Sequence, residues 1–468
     1  MSDLLAKPLK VLNIGLSSFA ESIRDAGGSV LHIDWRPPAD GDVMLGRTLA
    51  RLINHHQVEE ANRKAFRAYL DAQPVLEDVR PARELIPDLS NRLLLHAGPP
   101  VAWHQMCGPM QGAVIGAIMF EGWANELSRA TALAKSGEIA FAPCHHYSAV
   151  GPMAGIISPS MPLWSIRNAF GRNRAFSSLN EGLGKVLRFG ANNPDVLERL
   201  QWMSEILGPL LGDALRSMGG IELKPLMAQS LHMGDELHNR NVAASSLLLK
   251  RLLPGLVESG RPSAEVAQTV RFIAGNDHFF LNVSMAACKA MLDAAHGIPN
   301  SSLITAMARN GVEFGIRMSG TGNTWFTAPA PEVRGLYFPN YGPQDAAPDL
   351  GDSAITETAG LGGFAMAAAP AIVKFVGGMP SDAEANTRRM KRITLGVNPA
   401  FTIPSMNFSG TPAGIDARKV MDRGIVPVMD TGIAHRAAGV GQIGAGISHA
   451  PIACFVQAIV ALDQHIPD

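Results

Sequence analysis

Cysteine is scarce and scattered in this chain. Cys107, Cys144, Cys288 and Cys454 are the only four and form no C-x-x-C pair. They give neither a paired thiolate site nor a disulfide framework, so a reduced compartment is the expectation. Aromatic residues are 6% of the chain and the formal net charge is −1. Without a basic excess or many base-stacking rings, nucleic acid is not the expected partner. Long apolar runs are missing too. The best membrane candidate, Gly112 to Phe120, is nine residues, whereas a spanning helix needs about 20. The opening Met1-Ser2-Asp3-Leu4-Leu5-Ala6-Lys7 lacks a signal-peptide core. These absences point to a cytoplasmic protein with no membrane partner. No Gly-Lys-Ser/Thr follows a glycine loop, which removes the P-loop reading.

What is present describes a large globular enzyme. The 468 residues are 47% hydrophobic and 17% charged, with 47 Gly and 32 Pro. That size suits two or three domains, and the mix suits a multi-domain α/β fold with many tight loops. Three domains are expected: an N-terminal α/β domain over 1–188, a small all-helical domain over 189–265, and a Gly-rich α/β domain over 266–468.

The N-terminal domain opens with a Rossmann-like βαβ signal. Lys10 to Gly15 reads as a strand, Phe19 to Ala26 as a helix stopped by Gly27-Gly28, and Ser29 to Asp34 as a second strand. The loop Gly15-Leu16-Ser17-Ser18 lacks the full dinucleotide fingerprint, and Trp35-Arg36-Pro37-Pro38 forms a stiff exit. Residues 44–82 read as helices joined near His55-His56. Leu93-Leu94-Leu95 and Ile139 to Ala142 read as strands, with one long helix from Met110 to Lys135 between them. Helical spacing then recurs over 195–207, 209–217, 223–233, 243–253, 263–273 and 282–295. Met307 to Ile316 reads as a helix-to-strand passage, 329–352 as loop, and 357–378 as an Ala-rich helix behind a glycine turn. Short strand-like pieces fill 397–430, and Gly439 to Gly446 reads as a glycine loop.

The stretch Arg317-Met318-Ser319-Gly320-Thr321-Gly322-Asn323-Thr324-Trp325 carries the most chemistry. Glycines bring backbone N–H groups close to a ligand. Ser319, Thr321, Asn323 and Thr324 add short-reach donors, and Arg317 can grip a carboxylate or phosphate with two parallel bonds. The set describes a cradle for a small anion; its plain alternative is an ordinary turn with Arg317 in an ion pair. Asn276-Asp277-His278 offers an imidazole that titrates near neutrality unless perturbed, though Asn276 and Asp277 also suit a helix cap. Asn282 follows His278 by one helical turn. His232, Asp235, Glu236, His238, Asn239 and Arg240 form the densest polar cluster; Asp235 and His238 can share a helix face, and the set suits a metal, an acid/base pair or a structural polar interface between domains. Cys144-His145-His146 sits where an α/β strand would present ligand-contacting residues, and no second ligand pair makes it a zinc site. Glu357 and Gly360-Leu361-Gly362-Gly363 precede an expected helix N-terminus, which favours anions.

Read together, these landmarks resemble the YahG/YlbE-like family, which includes the AllG subunit of a bacterial oxamate carbamoyltransferase. The resemblance rests on Asn13-Ile14-Gly15 with Ile33-Asp34-Trp35-Arg36-Pro37-Pro38, on Met233 to Asn241, on Gly275 to Asn282, on Ser319 to Trp325, on Glu357 to Phe364 and on the C-terminal glycine loop. It covers nearly the whole chain. Each motif is weak alone, and their order and number give the specificity. The resemblance implies a multi-domain α/β protein with a separate helical domain that works beside an FdrA-like subunit and often a third small one. It implies carbamoyl transfer between phosphate and a ureido acid such as oxalurate, giving carbamoyl phosphate and oxamate in ureide or purine catabolism. It implies no cofactor and no metal, and it fixes no catalytic residue.

The residues suit that chemistry. Phosphorolysis of a ureido bond needs a held phosphate, donors on the carbamoyl oxygen and a proton for the leaving nitrogen. The cradle fits the first two tasks, and Asn276, Asp277 and His278 are the expectation for the third. Asn282, Glu357 and Gly362 join the expected substrate contacts, with His145, His146, Asp235 and His238 in support. Two rivals stand beside this reading: a subunit of an acyl-CoA ligase-like complex, and a non-catalytic scaffold for the FdrA-like partner. Homo-oligomerisation is compatible with all three.

Overall fold

The structure is a computed structural model that describes residues 10–33, 37–89 and 92–466. Strand β1 (Lys10–Ile14), helix α1 (Ser17–Asp25) and strand β2 (Ser29–Ile33) form the expected unit, with β1 and β2 parallel and in register from Lys10↔Ser29 to Ile14↔Ile33. Among the described residues its sheet has two strands, and Leu12, Ile14, Phe19 and Leu31 stay exposed. Asp34, Trp35 and Arg36 lie outside the described residues.

Helices α2 (Val43–Ile53) and α3 (His56–Asp71) meet at His55 as expected. The helical reading then fails: residues 74–81 are strand β3 (Pro74–Pro81). Proline cannot continue a helix, and the apolar run Val75-Leu76 with Val79 packs into a sheet. After the single turn α4 (Ala82–Leu85), strand β4 (Leu93–His96) pairs in parallel with β5 (Ala140–Pro143), across helices α5 (Gly108–Phe120) and α6 (Leu127–Ser136). One long helix was expected there. It breaks because the Glu121 carboxylate is held outside it, accepting from Ser158 Oγ at 2.5 Å, Ser160 N at 2.7 Å and Ser160 Oγ at 2.9 Å, while Gly122 turns at φ +68°.

Strands β6 (Ala149–Val150), β7 (Pro162–Asn168) and β8 (Arg174–Ser178) come next. Helices α7 (Pro194–Trp202) and α8 (Gly208–Met218) follow, then strand β9 (Ile221–Glu222). The strands form one sheet in the order β6-β8-β7-β3-β9. Helices α9 (Leu223–His232), α10 (Val242–Glu258), α11 (Ser263–Ala274) and α12 (Leu281–Asp293) complete the helical run. Every residue of α12 from Leu281 to Leu292 is buried, so it is the axis of the molecule rather than a surface helix. One continuous apolar core holds Ala65, Leu207, Leu252, Met285 and Ala413 together.

Beyond Pro299 the expected helix-to-strand passage is a hairpin. Strand β10 (Ile304–Asn310) and β11 (Glu313–Met318) pair antiparallel, flanked by β12 (Phe326–Pro329). Asn310-Gly311 makes the turn, with Gly311 at φ +77°; that dipeptide is a hairpin signal. Strands β13 (Arg334–Tyr337) and β14 (Leu350–Gly351) interrupt the expected loop. After helix α13 (Ile355–Thr358) the chain does not form one Ala-rich helix. It runs through 3-10 turns at 362–364, 366–368 and 370–372 to α14 (Val373–Val376) and α15 (Pro380–Lys391). Gly362 and Gly363 are pinned there: a Cβ at Gly363 would lie 2.3 Å from the Val428 carbonyl oxygen.

The rest is strand β15 (Thr394–Ile403), β16 (Ser409–Ile415), helix α16 (Ala417–Arg423), strands β17 (Val428–Ala434) and β18 (Gln442–His449), and helix α17 (Ile452–His465). The glycine-dense stretch is therefore half loop: Gly444 and Gly446 belong to β18, where β13 approaches so closely that side chains are excluded. Among the described residues no helix is long and apolar enough to cross a membrane.

Candidate functional site

Two buried ionic centres share the segment that runs from Asp352 into α13, and α12 supplies the lysine of the first. That centre gathers at the α12 C-terminus. Lys289, almost fully buried, reaches one turn along its helix to Asp293, Nζ to Oδ1 at 2.5 Å. Arg317, buried at the end of β11, donates through Nη2 to His296 Nε2 at 2.9 Å and to Asn323 Oδ1, and through Nη1 to the His145 carbonyl at 3.4 Å. Its guanidinium carbon stands 5.7 Å from the ring centre of Trp325, a cation–π arrangement. Trp325 meets the His145 ring edge-on at 5.5 Å and donates to His146 Nε2 at 2.9 Å. Asp352 holds the back wall, accepting from Gly98 N at 2.8 Å and Gly151 N at 3.0 Å.

This centre has a buried floor and an open rim. Lys289, His145 and Arg317 are buried, while His146, Asn323 and Thr324 are exposed. Both ring nitrogens of His145 and the Nε of Arg317 lack a partner; His145 Nε2 comes no nearer to Asp352 Oδ1 than 3.6 Å. Buried donors without acceptors are costly, and a bound anion is what would satisfy them. The electrostatics agree. Burial, then Lys289 and Arg317, hold His145 well below the usual histidine range. Burial and Arg317 take His296 down to about 4, and burial with Arg317 and Lys289 lowers His146. Asp352 is pushed up to about 7 by burial, so this back-wall acid is partly neutral at pH 7, and Asp293 is the acid that faces Lys289 and Arg317.

The second centre is acidic. His238 Nδ1 lies 2.7 Å from Glu357 Oε1 and 3.5 Å from Asp430 Oδ1, with all three side chains buried. Glu236 is buried beside them and accepts from the backbone N–H groups of His238 and Arg240. Glu357 also accepts from Gly363 N at 2.9 Å. Burial pushes Glu236 up to about 7. Burial, then Glu236 and Glu357, drive Asp430 well above the carboxylate range. Despite its burial, Glu357 falls below the ordinary value, through the charge and hydrogen bond of His238.

The expected residues divide among these centres and a third place. Arg317, Asn323, His145 and His146 meet at the first, and His238, Glu357 and Gly362 at the second. Ser319 turns inward, donating to the Ala295 carbonyl at 2.6 Å and accepting from Ile298 N at 3.1 Å; Thr321 donates to the Met318 carbonyl at 3.1 Å. The cradle backbone thus ties itself into a turn, which Thr324 joins through its backbone N–H, donating to the Thr321 carbonyl at 3.4 Å. Asp235 accepts from Ala244 N at 2.9 Å in the first turn of α10. Asn276 donates to the Asn180 carbonyl at 3.0 Å and accepts from His278 N at 3.1 Å, while Asn282 bonds Asn180 and Ser178. Asp277 and His278 line a separate cavity of about 250 Å³ with Asn239, Asn241 and Gln442. His278 does not titrate near neutrality: burial, then Arg188, hold it to about 4. Asn282 and Asp293 stand at opposite ends of α12, about 17 Å apart at 1.5 Å per residue, so the structure does not bring His278 to the Arg317 cradle.

Sequence reasoning missed Lys289, His296, Asp352 and Asp430. A signal existed for two of them. Lys289 is a charge in the middle of a mostly apolar helix whose other charged residue is the terminal Asp293, and Asp430 sits mid-strand in Val428-Met429-Asp430-Thr431-Gly432-Ile433-Ala434. Charges in fully buried elements are rarely idle.

An α/β protein built around a buried central helix, with one cationic and one acidic centre beside it, is the class that fold and site define. The chain belongs to the YahG/AllG family. It is 46% identical over 461 residues to the Escherichia coli (strain K12) uncharacterized protein YahG, covering 98% of each chain. It is 49% identical over 410 residues to the oxamate carbamoyltransferase subunit AllG of the same organism, covering 87% of this chain and 98% of that one. The family model for oxamate carbamoyltransferase subunit AllG matches residues 139–353. A crystal structure of a conserved protein of unknown function from Enterococcus faecalis V583 superposes with a TM-score of 0.87 at 47% identity, over 88% of this chain and 99% of that one. The mixed α/β fold expected from the sequence is thus shared by a solved relative.

Proposed function

We propose that the chain is a subunit of a carbamoyltransferase complex that acts on a ureido acid such as oxalurate with phosphate. A phosphate oxygen bonds the carbamoyl carbon. The bond from that carbon to the bridging nitrogen breaks, its electron pair goes to nitrogen, and nitrogen takes a proton. The products are carbamoyl phosphate and an amide acid such as oxamate. The family relative named as an oxamate carbamoyltransferase subunit supports this assignment. The observation that carries it is the buried pair Lys289 and Arg317 beside the unpartnered nitrogens of His145.

Both substrates are anions, and desolvated cations bind anions far more strongly than exposed ones. In this reading Arg317 and Lys289 hold phosphate or the acid's carboxylate. His145, neutral at pH 7, keeps one N–H for the carbamoyl oxygen. The exposed apolar strand residues Leu12, Ile14 and Leu31, on one face of the β1–β2 pair, support work within a complex, since such patches mark contact surfaces.

The test mixes this chain with its FdrA-like partner, the third small subunit, phosphate and oxalurate, and measures carbamoyl phosphate. Product that disappears with Arg317→Met, while the complex still assembles, supports the proposal. Absence of product from any ureido acid in the complete complex refutes it. Unchanged turnover in the variant would leave the chain a scaffold, and nucleotide-dependent turnover would point to ligase chemistry.

A further inference from the structure

The structure gathers Glu357, Gly362 and His238, expected as substrate contacts, into an acidic centre to which the proposed carbamoyl transfer assigns no role, and the geometry of this centre is unusual for a structural ion pair. We infer that His238, Glu357 and Asp430, with Glu236 beside them, bind one divalent first-row metal ion. One ligand atom from each of the first three residues lies within 4.8 Å of the others, and all three residues are buried. Two ligand atoms at adjacent corners of an octahedron are about 3.0 Å apart when each is about 2.1 Å from the ion. The observed separations of 2.7 Å for His238 to Glu357 and 3.5 Å for His238 to Asp430 bracket that value.

The second argument is an unmet demand. No N–H donor bonds either carboxylate oxygen of fully buried Asp430, and its carboxyl group meets that of Glu357, a contact that only a proton or a cation between them makes favourable; Oε2 of buried Glu236 also lacks a partner. Among the described residues no lysine or arginine side chain forms an ion pair with Glu236, Glu357 or Asp430. Buried charges are stable when paired or when they coordinate a metal. One imidazole can pair with one of these carboxylates; the others need protons or a cation among them, and one divalent ion fills that need. The donor set of oxygens with a single imidazole nitrogen suits manganese, with zinc or ferrous iron as competitors.

The backbone is shaped to the same end. A Cβ at Gly362 would lie 2.2 Å from Glu357 Oε1 and 3.0 Å from His238 Cβ, and its φ of +51° admits glycine most easily. The 3-10 turn at 362–364 therefore closes over the cluster without filling it. Three or four protein ligands would leave at least two positions of an octahedron for water or a ligand oxygen.

The experiment uses the full chain, stripped with a chelator, and titrates it with Mn²⁺ while free Mn²⁺ is counted by its six-line electron spin resonance signal. The expected result is one ion per chain, with thermal unfolding shifted upward in proportion to the logarithm of metal concentration. Asp430→Asn is expected to weaken binding by more than the roughly 10–100-fold typical of an outer partner. No binding of Mn²⁺, Zn²⁺ or Co²⁺ at millimolar concentration overturns the inference and leaves a shared proton in the ion's place. Binding unchanged in both Asp430→Asn and Glu357→Gln also overturns it. Should those variants fail to fold, pulsed resonance of Mn²⁺ bound to the native chain decides: nitrogen coupling from one imidazole supports the site, and its absence overturns it. The readout is metal binding, so failure of the carbamoyl-transfer assay leaves this test intact.

Discussion

Arg317 donates to Nε2 of His296 at 2.9 Å, and this single bond fixes the state of the histidine. Arginine has donors only, so Nε2 is the acceptor and the ring proton sits on Nδ1, which donates to Thr305 Oγ1 at 2.7 Å. A second proton on this ring would face the guanidinium. Burial, and then the same contact that orients Arg317, keep His296 neutral and hold its pKa down at about 4.

That coupling has a pH signature. Between the ordinary histidine value of 6.5 and about 4, the unfolded chain binds a proton at His296 that the folded chain refuses. Stability from this residue therefore falls as pH drops through that window, by up to about 3 kcal/mol. His296→Gln should be less stable than the native chain at pH 7 but lose less on acidification. Urea midpoints at pH 7 and pH 5 check this, and parallel losses in the two chains would contradict it.

Arg317→Lys should assemble into the complex yet fail in turnover. Lysine keeps the charge but loses the planar fork that bonds Asn323, His296 and the His145 carbonyl together. Loss of one preorganised donor typically costs about 10²–10³ in kcat. Steady-state carbamoyl phosphate production checks the size, and a purely structural Arg317 would show lower thermal stability with kcat retained.

Two glycines separate backbone strain from steric exclusion. Gly234 has φ +95° with nothing within 4 Å of an added Cβ, so Gly234→Ala should cost only the strain of its conformation, about 1–3 kcal/mol. Gly362→Ala meets Glu357 Oε1 as well, and overpacking adds about 1–3 kcal/mol. Chemical denaturation should rank Gly362→Ala clearly below Gly234→Ala; the reverse order would mean the 362–364 turn can move aside.

Tyr69→Phe tests how β15 is clamped to α3. The Tyr69 hydroxyl, in the core, donates to the Ala359 carbonyl at 2.6 Å and accepts from Asn398 Nδ2 at 2.9 Å. Deleting it leaves two buried groups unsatisfied, at about 1–3 kcal/mol. The loss should appear as a lower unfolding midpoint with unchanged m-value, and no loss would mean water replaces the hydroxyl.

Local signals were legible and long-range ones were not. The βαβ opening, the strands at Leu93 and Ala140, and the helices from Pro194 to Asp293 follow from periodicity and glycine stops. The β10–β11 hairpin was written in Asn310-Gly311 but masked by the helix-compatible residues Ala306, Met307 and Ala308. The break between α5 and α6 depends on Ser158 and Ser160 capturing Glu121 from more than thirty positions away. Propensity has no access to such a contact.

The linear order of residues alone settled the α/β class, the family, the excess of glycine turns and the chemical promise of Arg317, His145, His238 and Glu357. Only folding decided that Ser319 and Thr321 satisfy their own turn, that Lys289 and His296 join Arg317, and that Asp430 comes to His238 from nearly two hundred residues downstream. Periodicity and turn chemistry are properties of neighbours along the chain. A desolvated charge and the partner it needs are set by which distant segments the core packs together.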